Sequence, residues 1–195
     1  MNLYEYDKKV FNLINDFGST DENVIHMTLG IVGECAEVTD LVRVSVGTMK
    51  VCPRMPIIEE IGDTLFYING LCRYLHINRD EILKFSEETL TSDGAPFSLN
   101  DVFGSMSMCA MAGKLADRVK KTIAYGRQLD IHGITGDLTA LMYHTGNLLH
   151  DIDSDLSAAL ETNVRKLEVR YPGLIFTKDR ANNRDKDAEA NAMKG

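Results

Sequence analysis

Apolar residues recur at helical spacing along nearly the whole chain, and sustained strand-like alternation is missing, so the pattern predicts an all-α protein built as a helical bundle. Leu3, Val10, Phe11 and Ile14 share one stripe that Phe17-Gly18-Ser19 ends. Thr20 or Asp21 is placed to cap a second helix that runs to about residue 46. A third spans about Ile57 to Leu75, set off from the second by Cys52-Pro53-Arg54-Met55-Pro56, because proline interrupts a helix and restrains the residue before it. Asn78 and Glu81 have the spacing of a capping box for a fourth, to about Leu90. The turn-rich run Thr91-Ser92-Asp93-Gly94-Ala95-Pro96 is the best internal boundary. Helices are expected again at about 100–124, 136–151 and 155–170, before Tyr171-Pro172-Gly173. The charged stretch 179–195 is expected to fray at its tip.

Two acidic motifs interrupt the apolar runs. Glu34-Cys35-Ala36-Glu37 lies within Thr-Leu-Gly-Ile-Val-Gly-Glu-Cys-Ala-Glu-Val, and Glu60-Ile61-Gly62-Asp63 within Ile-Ile-Glu-Glu-Ile-Gly-Asp-Thr-Leu-Phe-Tyr-Ile. Residues three apart share a helix face, so each motif aims two carboxylates at the side its apolar neighbours bury. Glu-x-x-Glu and Glu-x-x-Asp are common on solvated faces, and either motif alone reads as surface. Two of them, both in apolar context and joined by one helix–turn–helix connection, can converge if the helices pack antiparallel. Buried carboxylates repel each other and lose hydration, so they call for protons or cations, and hard divalent ions such as Mg²⁺ suit oxygen ligands. The pattern therefore predicts a metal site.

Composition narrows the setting. A chain of 195 residues holds one domain or two small ones, and 44% hydrophobic content is enough for a real core. The net charge of −8 argues against a general nucleic-acid or membrane surface. Cysteines 35, 52, 72 and 109 show no C-x-x-C spacing and read as reduced core thiols, which points to the cytoplasm. Neither a long apolar stretch nor a charged-then-apolar leader is evident, so neither a membrane span nor a signal peptide is expected. The five histidines are scattered, without metal-ligand spacing.

The order Gly33-Glu34-x-x-Glu37, a connection, then Glu59-Glu60-Ile61-Gly62-Asp63-Thr64-Leu65-Phe66-Tyr67 resembles the MazG-like all-α nucleoside triphosphate pyrophosphohydrolases. Near the other end, Asn163-Val164-Arg165-Lys166-Leu167-Glu168-Val169-Arg170-Tyr171-Pro172 resembles the segment that closes that family's core module. The resemblance implies Glu34, Glu37, Glu60 and Asp63 as metal ligands, with Glu37 also matching the carboxylate proposed to activate water. It implies Mg²⁺ as cofactor, with Mn²⁺ as a substitute, and a nucleoside triphosphate as substrate. Asn163, Lys166, Arg170 and Tyr171 are the expected substrate contacts, with Lys120 and Arg127 adding positive charge. Glu59 is expected to lie outside the ligand set. Assembly of copies, most simply a dimer, is expected too.

The second half reads as a decayed copy of the first. Val38-Thr39-Asp40-Leu41-Val42-Arg43 aligns with Leu115-Ala116-Asp117-Arg118-Val119-Lys120 at an offset of 77 (38 to 115). That register places Glu34 on Met111, Glu37 on Lys114, Glu60 on Asp137 and Asp63 on Ala140, so the copy is expected to hold no metal. Met106, Met108 and Met111 read as core filling. Asn163 and Lys166 fall on Ser86 and Thr89 of the first half. The expected organisation is a metal-bearing module at 1–92, a degenerate module at 98–176 that contributes to substrate binding, and a charged tail at 177–195.

The expected reaction is hydrolysis of a nucleoside triphosphate, ribo- or deoxyribo-, to monophosphate and pyrophosphate. Two alternatives stand beside it: hydrolysis of another nucleotide such as phosphoribosyl-ATP, and a non-catalytic helical nucleotide-binding regulator. A P-loop is missing, which argues against a kinase or ATP-driven motor.

Overall fold

A computed structural model describes residues 1–48, 54–84 and 99–193, with the side chains of 99 and 100 left aside. Among the described residues every regular element is helical, and the protein is an all-α bundle. In chain order the helices are α1 (Leu3–Val10), α2 (Thr20–Thr48), α3 (Arg54–Tyr74), α4 (Arg79–Leu83), α5 (Leu99–Tyr125), α6 (Ile131–Asp151), α7 (Leu156–Arg170), α8 (Lys178–Asn182) and α9 (Lys186–Met193). Short 3₁₀ turns follow α1 at Phe11–Leu13 and α7 at Pro172–Leu174.

Local chemistry sets several of these boundaries. Ser19, rather than Thr20 or Asp21, caps α2: its hydroxyl accepts from the Glu22 backbone N–H at 3.2 Å and donates to the Glu22 carboxylate at 2.8 Å. Helix α3 is already formed at Arg54, ahead of the expected Ile57, and runs through Pro56. Asn78 caps α4 through the Asp80 N–H rather than closing a box with Glu81. The Asp130 carboxylate caps the Gly133 N–H and starts α6 at Ile131, earlier than the expected 136.

Helix α3 is the spine of the bundle. Ile57, Ile58, Ile61, Leu65, Ile68 and Leu71 are all buried on it, each worth roughly 1.5–3 kcal/mol relative to exposure. It lies against α2 and α7, α2 lies against α5, and α5 against α6. Helix α4 rests on α6 and α9 on α7. Chain halves are thus crossed: the late helix α7 covers the early helix α3, and the early helix α4 covers the late helix α6.

The element boundaries repeat at the offset read from the sequence. Helix α6 ends 77 residues after α3 (74 to 151), and α7 begins 77 after α4 (79 to 156). Their caps, Asn78 and Asp155, keep the same interval.

The tip of the tail, 194–195, lies outside the described residues; up to Met193, α8 and α9 are formed, and Glu189 and Met193 are buried. Two expectations need correction. Met106 is 53% exposed, whereas Met108 has no exposed surface and Met111 lies partly buried against the core. Phe11, expected in the buried stripe, is half exposed under the Arg73 guanidinium, 3.6 Å from the ring centre, while Tyr6 fills the stripe instead. Cys35 and Cys72 are buried and Cys109 half-buried, all three unpaired. Cys52, the turn at 91–96 and the far end of the expected fourth helix lie outside the described residues.

Candidate metal centre

Helices α2 and α3 bring the two acidic motifs together. Carboxylate oxygens of Glu34, Glu37 and Glu60 lie within 4.8 Å of one another, with Glu37 exposed and the other two half-buried. Opposite oxygens around Mg²⁺ are about 4.2 Å apart at its usual bond length, so the cluster has the scale of one hard-cation shell. Apolar flanks produce the burial: Ile31, Cys35 and Val38 on α2, and Ile57, Ile61 and Leu65 on α3, are fully buried.

Crowding shows in the acidities. Glu34 is pushed up to about 8, first by burial, then by the charges of Asp63, Glu60 and Glu37 and by a hydrogen bond with Glu60. Glu60 is pushed up to about 7 by burial and by Glu37, Asp63 and Glu59, with the Lys166 charge pulling the other way. The residues therefore fit a divalent cation: an all-oxygen donor set whose mutual repulsion such an ion would relieve.

Asp63 stands beside this trio with both oxygens engaged by α7. Asn163 Nδ2 donates to Oδ1 at 2.6 Å, and the Lys166 ammonium donates to Oδ2. Lys166 also reaches Glu59 at 3.4 Å and has no exposed surface. Asn163 and Lys166, expected as substrate contacts, thus meet the acidic motifs themselves, a hundred residues or more away in the chain. Gly62 makes the contact possible, since a Cβ there would sit 2.9 Å from Asn163 Cβ and 3.2 Å from the Ala159 carbonyl oxygen.

Other expected contacts are placed differently. Arg170 is a bidentate partner of the buried Glu189, at 2.9 and 2.7 Å, and its charge is felt at Asp63 only as a field. Tyr171 is buried against Phe176. Lys120 pairs with Asp117 on an exposed face of α5, and Arg127 is exposed in the α5–α6 link. Among the described residues no ion pair joins either of these two to the carboxylates.

The matching place in the second half carries an arginine. Asp137, the only acidic residue retained there, accepts from Arg118 Nε at 2.6 Å, and Arg118 also pairs with Asp130. The first half has Leu41 at the position of Arg118. Lys114, the counterpart of Glu37, is exposed. Sequence reading did not single out Arg118, Glu189 or Tyr6; a basic residue one helical stretch from the retained Asp137 was the available signal for the first.

Tyr67 lies one turn beyond Asp63 with its ring over Gly30 of α2, where any Cβ would collide with it. Burial, then the charges of Glu34 and Asp63, push its hydroxyl up to about 12. No helix of the described residues is long and apolar enough to cross a membrane. Compared with protein-family models, curated proteins and solved structures, the chain matches none.

Proposed function

We propose that the protein is a divalent-metal-dependent nucleoside triphosphate pyrophosphohydrolase, releasing pyrophosphate and a nucleoside monophosphate. The observation that carries this reading is the trio Glu34, Glu37 and Glu60 with oxygens within 4.8 Å, in the motif order that resembles the MazG-like enzymes.

Glu34, Glu37 and Glu60 would hold Mg²⁺ or Mn²⁺, with Asp63 beside them as the fourth carboxylate. The bound ion supplies charge neutralisation on phosphate oxygens and a more acidic water. Everything else falls to the chain. Glu37, the exposed member, faces solvent where a triphosphate can approach and is placed to accept a proton from attacking water. Lys166 and Asn163 fix Asp63 from the opposite helix, so the carboxylate does not swing as charge builds on phosphate. Positioning and charge, rather than covalent chemistry, carry most of phosphoryl-group catalysis.

The crossed arrangement of α3 with α7 and α4 with α6, and the boundaries repeating at 77, support a duplicated module whose first copy keeps the carboxylates. In the second copy Arg118 takes the cation's place beside Asp137. Substrate binding by this second half, a homodimeric assembly and a cytoplasmic location belong to the same reading.

The deciding experiment incubates the chain with each common NTP and dNTP, and with phosphoribosyl-ATP, under Mg²⁺ or Mn²⁺. Pyrophosphate release that disappears with chelator is the expected result. Silence across the whole panel, with nucleotide binding retained, would replace the enzyme by a nucleotide-binding regulator.

A further inference from the structure

Tyr6 comes from the first helix, 157 residues before the asparagine it touches. With Leu3 and Val10 it forms the buried face of α1, and it has no exposed surface. A tyrosine this deep keeps its hydroxyl only with a partner. The partner is Asn163, whose Oδ1 accepts from the Tyr6 hydroxyl at 2.6 Å. Burial, and then the Asp63 charge, push the hydroxyl well above its ordinary pKa, so it stays a donor.

We infer that Tyr6 is a positioning residue of the metal centre: by donating to Asn163 Oδ1 it fixes the amide so that Nδ2 faces Asp63. This rests on reading the carboxylates as a metal centre. An amide has one accepting end and one donating end. With Oδ1 claimed by Tyr6, only Nδ2 is left for Asp63, which it meets at 2.6 Å. Asn163 is 1% exposed and wedged against Gly62, so water does not substitute for either partner. Asp63 is then held at both oxygens, by a buried ammonium on one and by an oriented amide on the other. Removal of the hydroxyl strands Oδ1 in the core, and the amide turns to find another donor, loosening Asp63 beside Glu34 and Glu60. Groups one contact away from metal ligands, as Asn163 is here, commonly change metal affinity or activity by about 10–100-fold, and Tyr6, one step further out, is expected at the low end.

The test measures Mn²⁺ binding to the full chain by calorimetry, in wild type, Tyr6→Phe, Asn163→Ala and the double variant, with helicity monitored by circular dichroism. Tyr6→Phe is expected to weaken Mn²⁺ about tenfold with the helical signal intact. The double variant is expected to bind no more weakly than Asn163→Ala alone, because Tyr6 acts through that amide. Unchanged affinity in Tyr6→Phe, multiplied losses in the double variant, or collapse of the helical signal would each make Tyr6 a core residue only. A wild-type chain that ignores millimolar Mn²⁺ removes the metal-centre reading itself, and this inference with it.

Discussion

His76 and Asp153 share a left-handed backbone conformation that side chains with a Cβ rarely adopt, φ being 53° at both. They lie 77 residues apart (76 to 153), each in the turn that leads into a capped helix, α4 after one and α7 after the other. Both turns close the preceding helix in the same way, Ile77 N–H onto the Cys72 carbonyl and Ser154 N–H onto the Leu149 carbonyl, a common helix ending repeated here at the interval of the helix ends. Each of these two helices then packs on the opposite half, α4 on α6 and α7 on α3.

That crossing makes a prediction about fragments. Residues 1–92 alone would lack α7, leaving Asp63 without Asn163 and Lys166 and baring the face of α3 that α7 covers. The fragment is expected to be at least tenfold slower in pyrophosphate release than the whole chain, and mixing it with 98–195 to restore part of the rate. A fragment as fast as the full chain would show that the second half is not needed for the site.

Glu37→Gln and Asp63→Asn each preserve shape and delete one charge. Both are expected to lose at least tenfold in turnover, about 1.4 kcal/mol of barrier, with helicity unchanged. Steady-state rates at saturating Mg²⁺ decide it; near-normal values in both variants would place the chemistry elsewhere.

Lys166→Met keeps length and burial but leaves Asp63 and Glu59 without their cation. Those carboxylates are 20% and 26% exposed, so the expected loss is about 3 kcal/mol, the low end for breaking a buried pair. Lys114→Ala, on an exposed face, is expected to stay within about 0.5 kcal/mol. Urea denaturation of the two variants side by side reads the contrast.

The sequence made the helical class and the convergence of Glu34, Glu37 and Glu60 legible, because period and motif spacing are local properties. Asn163 and Lys166 were legible only through a resemblance, and as substrate contacts; their engagement with Asp63 was not legible, because it depends on Gly62 letting two helices approach. Tyr6 was hidden because a buried aromatic in an apolar stripe looks the same with or without a hydrogen-bond partner. The order within the tail was hidden for a related reason: its charges suggest solvent, yet Glu189 is buried because Arg170 and Arg184 both meet it.

That contact supplies a prediction of its own. Burial alone would raise Glu189, but hydrogen bonds from Arg170 and Arg184 win and hold it at about 2. A lowered carboxylate contributes stability above its ordinary value, and that contribution fades as pH falls toward 2. Glu189→Gln is therefore expected to destabilise α9 at neutral pH, seen as faster amide exchange over residues 186–193, with the difference from wild type shrinking in acid. Equal exchange at neutral pH would mean that apolar contacts such as Met193 hold the strap.

The carboxylate cluster has the opposite sign. Glu34 and Glu60 ordinarily titrate near 4.5 and are raised to about 8 and about 7 in the fold. The folded chain thus holds protons that the unfolded chain releases. Their contribution to stability is complete below about 4.5 and is lost as pH rises through 7 and 8. A divalent ion competes with those protons, so its stabilising effect should grow over the same window. In chelator the melting temperature is expected to fall between about pH 5 and pH 8.5, and millimolar Mg²⁺ to raise it far more at the upper end. Glu34→Gln should flatten both trends, since it removes the most strongly raised group and one proposed ligand together. Thermal melts of the two proteins with and without Mg²⁺ across this range settle the matter: a metal effect independent of pH, or one kept intact in Glu34→Gln, would place the ion away from this cluster.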